Sequence, residues 1–139
     1  MKKILFVDDS PLDHFILKRI LNKYRLDYEV NCTADGEEVL EFLKQNRLNK
    51  LTLPDIILLD LYMPRFDGWL FLEKMRQVYP HLSKPLKLYV LSSSINPRDI
   101  QWVKKFEFVQ SFIFKPITKE VLENLVGEEI SDAEKNSTQ

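Results

Sequence analysis

The sequence predicts an α/β fold in which five helices cover both faces of a five-stranded, doubly wound parallel sheet. Two observations lead to this prediction. Short continuous apolar runs recur along the chain, and strands that are buried on both faces have this composition. An amphipathic stretch long enough for a helix follows each run, and connections of that length join parallel strands by right-handed crossovers.

Five segments have the composition of strands. Four of them are continuous apolar runs, whereas the second alternates between apolar and polar residues. The five segments are 4–7 (ILFV), 28–33 (YEVNCT), 55–61 (DIILLDL), 86–92 (LKLYVLS) and 111–114 (SFIF).

The helices between these strands have recognisable start signals. Ser10 is an N-cap residue, Pro11 occupies the first helical position and Asp13 completes a box-like cap of the first helix. The other helices are expected to begin near Asp35, Asp67, Pro97 and Thr118. The residues expected to face the sheet are Leu12, Phe15, Ile16 and Ile20, then Val39, Leu40, Phe42 and Leu43, then Phe71, Leu72, Met75 and Val78, then Ile100 and Val103, and finally Val121, Leu122 and Leu125.

Length and composition predict one domain. The chain has 139 residues, of which 45% are hydrophobic and 29% charged, so it can form one sizeable core, which we place in residues 1–126. Residues 127–139 are polar and acidic, and we expect a disordered tail there because they bury too little surface to offset their ordering entropy.

Charge and hydropathy exclude several partners. The net charge of −1 provides no overall basic surface for nucleic acid or for an anionic membrane. Neither a signal-peptide pattern nor an apolar run of membrane-spanning length is found in the sequence, so the expected location is the cytoplasm.

Polar side chains follow four of the predicted strands. Asp8 and Asp9 follow the first strand, Asp60 lies near the end of the third, Ser92 ends the fourth and Lys115 follows the fifth. Because the carboxyl ends of parallel strands form the binding crevice of an open α/β sheet, these side chains are expected to converge. Three converging carboxylates repel each other unless a cation neutralises them, and Mg2+ prefers such oxygen ligands.

A lysine and a hydroxyl in the same crevice suit an anion rather than a metal alone. Lys115 can hold a phosphoryl oxygen beside the metal, and Ser92 can donate a hydrogen bond to it. The combination favours phosphoryl transfer, in which a carboxylate nucleophile forms an aspartyl-phosphate.

These motifs resemble the receiver domains of bacterial two-component response regulators, over residues 2–126. The pair Asp8-Asp9 matches the acidic pair of that family, and Lys115 with Pro116 matches its lysine and cis-proline. The segment ILLDLYMPRFDG places Asp60 at the phosphoacceptor position of D-x-x-M-P-x-x-D-G. Ser92 matches the hydroxyl residue of the family.

The resemblance implies a flavodoxin-like strand order of 2-1-3-4-5 and a set of residue roles. It implies direct ligation of Mg2+, or of another divalent cation such as Mn2+, by Asp9 and Asp60, with Asp8 acting through water and the backbone carbonyl of Tyr62 as a further ligand. It implies phosphorylation of Asp60, with Ser92 and Lys115 as the catalytic residues.

Further roles are implied for residues around that site. Ser92 and Phe112 match a switch pair, although Phe112 cannot donate a hydrogen bond and is alternatively a plain core residue. Tyr62 and Ser94 match positions that affect the lifetime of the aspartyl-phosphate. Trp102 lies off the apolar stripe of the fourth helix, so it is either an exposed partner contact or half-buried against a neighbour.

The sequence therefore predicts a single-domain response regulator of a phosphorelay and not a conventional turnover enzyme. The expected partners are a sensor histidine kinase or histidine phosphotransfer protein and a downstream protein of unknown identity, and a homodimer is left open. The alternative is a phosphorylation-independent interaction module with a receiver fold. A haloacid-dehalogenase-like phosphatase would need a second acid where Tyr62 stands, and the chain has no glycine-rich nucleotide motif.

Overall fold

The fold is described from a computed structural model, which covers residues 2–63, 66–94 and 96–125, apart from the side chain of Phe66. Five parallel strands form one sheet in the order β2-β1-β3-β4-β5. This confirms the predicted fold class and strand order. The strands are β1 (Lys2–Val7), β2 (Tyr28–Thr33), β3 (Ile56–Asp60), β4 (Lys87–Ser92) and β5 (Val109–Phe114).

Helices follow the strands in alternation, as the sequence predicts. They are α1 (Pro11–Lys23), α2 (Gly36–Gln45), α3 (Gly68–Val78), α4 (Pro97–Val103) and α5, whose described part is 119–125. Each of the first four begins after an N-cap side chain that accepts a backbone N–H of the first turn; the caps are Ser10, Asp35, Asp67 and Asn96. A short antiparallel hairpin (Tyr62–Met63 with Phe66–Asp67) and a 3-10 turn (Tyr79–His81) were not predicted.

The sheet has a separate apolar core on each face. All five residues of β3 are buried, as expected for a central strand with helices on both sides. One core lies against α1 and α5, and the other lies against α2, α3 and α4. The helix residues buried in them are Leu17, Leu21, Leu122 and Leu125 on the first face, and Val39, Leu40, Leu43, Phe71, Leu72, Met75, Val78 and Val103 on the second.

The predicted stripe of α1 is wrong at Leu12 and Phe15, whereas Ile20 is partly buried against the core as predicted. Leu12 is 65% exposed and Phe15 is 56% exposed, whereas Leu17 and Leu21 are the buried residues of this helix. The sequence contains two competing apolar rows on α1, and periodicity alone did not identify the row that faces the sheet. In α2, Phe42 is also exposed rather than buried.

Two other expectations fall partly or wholly outside the described part of the chain. The predicted domain boundary at residue 126 and the predicted tail 127–139 lie beyond the last described residue.

Among the described residues, no helix combines the length and the apolar character that a membrane crossing requires.

Asp55 stabilises the end of the sheet that lies opposite the carboxyl ends of the strands. Its carboxylate accepts the backbone N–H of Lys3 at 2.8 Å and lies 3.0 Å from Nζ of Lys84. Burial alone would raise the pKa of Asp55, but the hydrogen bond from Lys3 and the contact with Lys84 outweigh burial and lower it. A carboxylate with a lowered folded-state pKa stabilises the fold above its unfolded pKa, and that contribution disappears as the pH falls through the folded value.

We expect Asp55→Ala to lower the free energy of unfolding by about 2 kcal/mol at neutral pH, because it removes hydrogen bonds to a charged group. The difference from the wild type should shrink as the pH falls below about 4, the unfolded pKa, because the stabilisation by the ionised carboxylate is lost progressively down to its lower folded pKa. Urea unfolding at a series of pH values measures both. Asp27→Ala is the control, since Asp27 is exposed at the start of β2. A deficit that persists or grows in acid would contradict the assignment.

Candidate functional site

The predicted site residues converge at the carboxyl ends of the strands. Asp60 is the last residue of β3, and Ser92 is the last residue of β4. Asp8 follows β1 and accepts the backbone N–H of Ser10 at 2.9 Å. Lys115 follows β5, and its backbone N–H donates to the carbonyl of Ser92 at 2.9 Å, so β4 and β5 are fixed to each other at the site.

Lys115 connects three carboxylates. Its Nζ lies 2.9 Å from Oδ2 of Asp8, 2.8 Å from Oδ2 of Asp13 and 3.2 Å from Oδ2 of Asp60. The peptide bond that follows Lys115 is cis, as the resemblance implied. Asp13 was predicted only as a helix-capping residue. Asp13 lies in the first turn of α1, five residues after Asp8. The short separation from Asp8 was the feature of the sequence that could have placed Asp13 near the site.

Three carboxylates form a cluster with the composition of a divalent metal site. Asp8, Asp9 and Asp60 each provide an oxygen, and these oxygens lie within 4.8 Å of one another. Asp8 and Asp60 are buried, whereas Asp9 is exposed, so the cluster opens to solvent on one side. Mg2+ and Mn2+ bind hard oxygen ligands and retain waters, and a partly open set of carboxylates suits them.

The charges in this cluster are incompletely balanced. Burial raises the pKa of Asp8 to about 6, although hydrogen bonds from Lys115 and Ser10 oppose this shift. For Lys115, burial alone would lower the pKa, but hydrogen bonds to Asp13 and Asp8 outweigh it and raise the pKa, so the ammonium group stays charged. One lysine cannot neutralise all the carboxylates around it, and a bound cation would supply the missing positive charge.

A close backbone contact fixes the segment around Asp60. The N–H of Gly68 donates to the carbonyl of Leu61 at 3.0 Å. A Cβ atom at position 68 would lie 2.6 Å from both Cα and the carbonyl oxygen of Leu61, so only glycine fits. The N–H of Tyr62 donates to Oδ1 of Asp60 at 3.2 Å and helps to orient that carboxylate.

A second polar network lies beside the carboxylates. Oγ of Ser92 accepts the N–H of Ser94 at 3.0 Å. Oδ2 of Asp99 accepts the hydroxyl of Ser94 at 2.9 Å and the phenol of Tyr62 at 2.7 Å. Asp99 was not predicted as a site residue, because an acid in the first turn of a helix is ordinary. Its burial, with only 5% of the residue exposed, is visible only in the fold.

Two aromatic residues also have predicted roles, Phe112 as a switch or a core residue and Trp102 as a partner contact or a half-buried residue. Phe112 is half-buried against the core of α2, α3 and α4, and its ring centroid is 5.3 Å from that of Phe114. Trp102 is 50% exposed and makes an edge contact with Trp69, with ring centroids 5.9 Å apart. Trp102 is therefore both exposed and packed against a neighbour.

The fold and this arrangement belong to a known class. The family description "response regulator receiver domain" matches residues 4–127, and the chain belongs to that family. It is similar to the response regulator Rcp1 of Synechocystis, with 34% identity over 100 residues, covering 71% of this chain and 67% of Rcp1. The rice two-component response regulator ORR1 is 26% identical over 125 residues, covering 88% of this chain but only 53% of ORR1.

Solved structures show the same fold. A two-component response regulator from Cytophaga hutchinsonii superposes with a TM-score of 0.81 at 24% identity, over 94% of this chain and 98% of that one. The Mn2+-bound form of Rcp1 superposes with a TM-score of 0.70 at 30% identity, over 93% and 92% of the two chains.

Proposed function

We propose that this chain acts as a response-regulator receiver that accepts a phosphoryl group on Asp60 from a histidine kinase or a histidine phosphotransfer protein. The observation that carries this proposal is the contact of Lys115 Nζ with Asp60, 3.2 Å away, where Asp60 forms a carboxylate cluster with Asp8 and Asp9. Such a site can hold a phosphoryl group between a nucleophile, a cation and a lysine.

In the proposed reaction, an oxygen of Asp60 attacks the phosphorus and the bond from phosphorus to the donor histidine nitrogen breaks. Lys115 moves its hydrogen bond from the carboxylate to a phosphoryl oxygen, and Ser92 donates its hydroxyl to another. A divalent cation held by Asp9 and Asp60, by Asp8 through water and by the carbonyl of Tyr62 would offset the charge of the phosphoryl oxygens. The Mn2+ in the Rcp1 structure supports this choice of cation.

Phosphorylation would then alter the protein surface. Engagement of Ser92 by the phosphoryl group biases a two-state equilibrium in which Phe112 changes its packing. The exposed side of α4, including Trp102, is the proposed contact for a downstream protein or for a second copy of the chain. Membership of the receiver family supports a signalling role rather than turnover of a substrate, and the cytoplasm remains the expected location.

The test is intact-mass measurement after incubation with acetyl phosphate and Mg2+. The wild type should gain one phosphoryl group, and the gain should be absent from Asp60→Asn and from a sample treated with a chelator. Asp27→Asn is the matched control, because Asp27 lies at the opposite end of the sheet and should not alter the gain. No gain under any condition would overturn the proposal and favour a phosphorylation-independent interaction module.

A further inference from the structure

We propose that Asp99 is a positioning residue that holds the ring of Tyr62 across the mouth of the site and thereby slows loss of the phosphoryl group from Asp60. This inference rests on the proposed phosphorylation of Asp60. It assigns to one residue of α4 the control of how long the phosphorylated form persists.

Tyr62 makes hydrogen bonds at both ends of the residue. The backbone N–H of Tyr62 donates to Asp60, the last residue of β3, while the phenol donates to Asp99 in the first turn of α4. Asp99 in turn accepts the hydroxyl of Ser94, and Ser94 donates its N–H to Ser92 at the end of β4. Since β3 and β4 are neighbours in the sheet, these hydrogen bonds extend the Tyr62 side chain from the end of β3 to the first turn of α4, beside the loop that follows β4.

The burial and hydrogen bonds of Asp99 suit it to hold the Tyr62 side chain in place. A buried carboxylate is costly unless it accepts hydrogen bonds, and Asp99 receives two of them, from two different loops. Tyr62 itself is 53% exposed, so the core does not fix its side chain. Without Asp99, the phenol would lose its charged acceptor and keep only its contact with the side chain of Trp69, so the ring would be held less firmly at the mouth of the site.

The position of the Tyr62 ring affects hydrolysis of the phosphorylated Asp60. Water must reach the phosphorus so that its oxygen forms a new bond to phosphorus while the bond from phosphorus to the Asp60 carboxyl oxygen breaks, which releases inorganic phosphate. A ring held across this edge restricts the approach of that water. Transfer from the donor should change less, because among the described residues Asp99 makes no hydrogen bond or ion pair with Asp60 or Lys115 and reaches Ser92 only through the backbone N–H of Ser94.

The test measures the rate of phosphoryl loss by intact mass after the phosphodonor is removed, in Tyr62→Phe, Asp99→Ala and the double variant. Each single change should accelerate the loss by about threefold to tenfold, the range that corresponds to the net contribution of one ordinary hydrogen bond at a partly exposed side chain. The double variant should be no faster than the faster single variant, because both changes break the same contact. Asp99→Asn retains an acceptor oxygen and should fall between the wild type and Asp99→Ala.

Controls separate positioning from general destabilisation. Tyr24→Phe and Asp27→Ala remove the same groups from exposed positions at the other end of the sheet, and they should leave the rate of loss unchanged. Tyr62→Phe removes one hydroxyl only, so it keeps the proposal testable even if Asp99→Ala fails to fold.

Two outcomes overturn the inference. One is wild-type lifetimes in Tyr62→Phe and Asp99→Ala; the other is a double variant whose acceleration equals the product of the single effects. Failure of the proposed function looks different, because the wild type would then gain no phosphoryl group at all.

Discussion

Lys115→Ala should reduce the rate of phosphoryl incorporation by about 100-fold, the loss typical of removing one preorganised donor to developing negative charge. Nζ of Lys115 is the cation that the structure places 3.2 Å from Asp60. Without it, a phosphoryl oxygen beside Asp60 would face the carboxylates of Asp8 and Asp13 with no lysine between them. The rate is measured by intact mass over time with acetyl phosphate and excess Mg2+.

Lys104→Ala is the matched control, since Lys104 is an exposed lysine at the end of α4. It should incorporate the phosphoryl group at the wild-type rate. Lys115→Arg keeps the charge but replaces a compact ammonium with a planar fork, so we expect partial activity. A wild-type rate in Lys115→Ala would show that the lysine is only a structural counter-ion of the carboxylates.

Gly68→Ala should lower the free energy of unfolding by about 3 kcal/mol, because the added methyl group has to displace backbone rather than a flexible side chain. The new Cβ would meet the backbone of Leu61 at 2.6 Å and the carbonyl oxygen of Asp60 at 2.9 Å. Relief of that clash also moves Asp60 and slows its phosphorylation. Urea unfolding gives the first quantity and intact mass over time gives the second.

Gly36→Ala provides the comparison, because Gly36 is also the first residue of a helix. Alanine has a higher helix propensity than glycine, and Gly36 has no assigned role at the site. We expect phosphorylation of Gly36→Ala to match the wild type. Equal stability losses in the two variants would mean that the close approach at Gly68 is not the cause.

Much of the fold could be predicted from the sequence, because the strong signals were local. The buried run that became β3 and the caps Ser10 and Asp67 fixed elements within a residue or two. The convergence of Asp8, Asp60 and Lys115 followed from one topological rule about the carboxyl ends of parallel strands. Their roles in chemistry remain proposals.

What could not be predicted depends on tertiary packing. The exposed Phe15 and the buried Leu17 both fit a helical period, and only contact with the sheet distinguishes them. Asp13 and Asp99 occupy first turns of helices, where acids are favourable without any partner. Asp13 contacts Lys115 and Asp99 contacts Tyr62, and both pairs join residues far apart in sequence. A local sequence pattern does not predict such pairs.

The most direct test of the central claim is to locate the phosphoryl group. The protein is phosphorylated with acetyl phosphate and Mg2+, reduced with borohydride so that an aspartyl-phosphate becomes homoserine, and digested for peptide mass spectrometry. Our account predicts homoserine at position 60 and at none of Asp8, Asp9 or Asp13. Homoserine at another of these aspartates, or at none of them despite a gain in intact mass, would contradict the assignment of Asp60 as the phosphoacceptor.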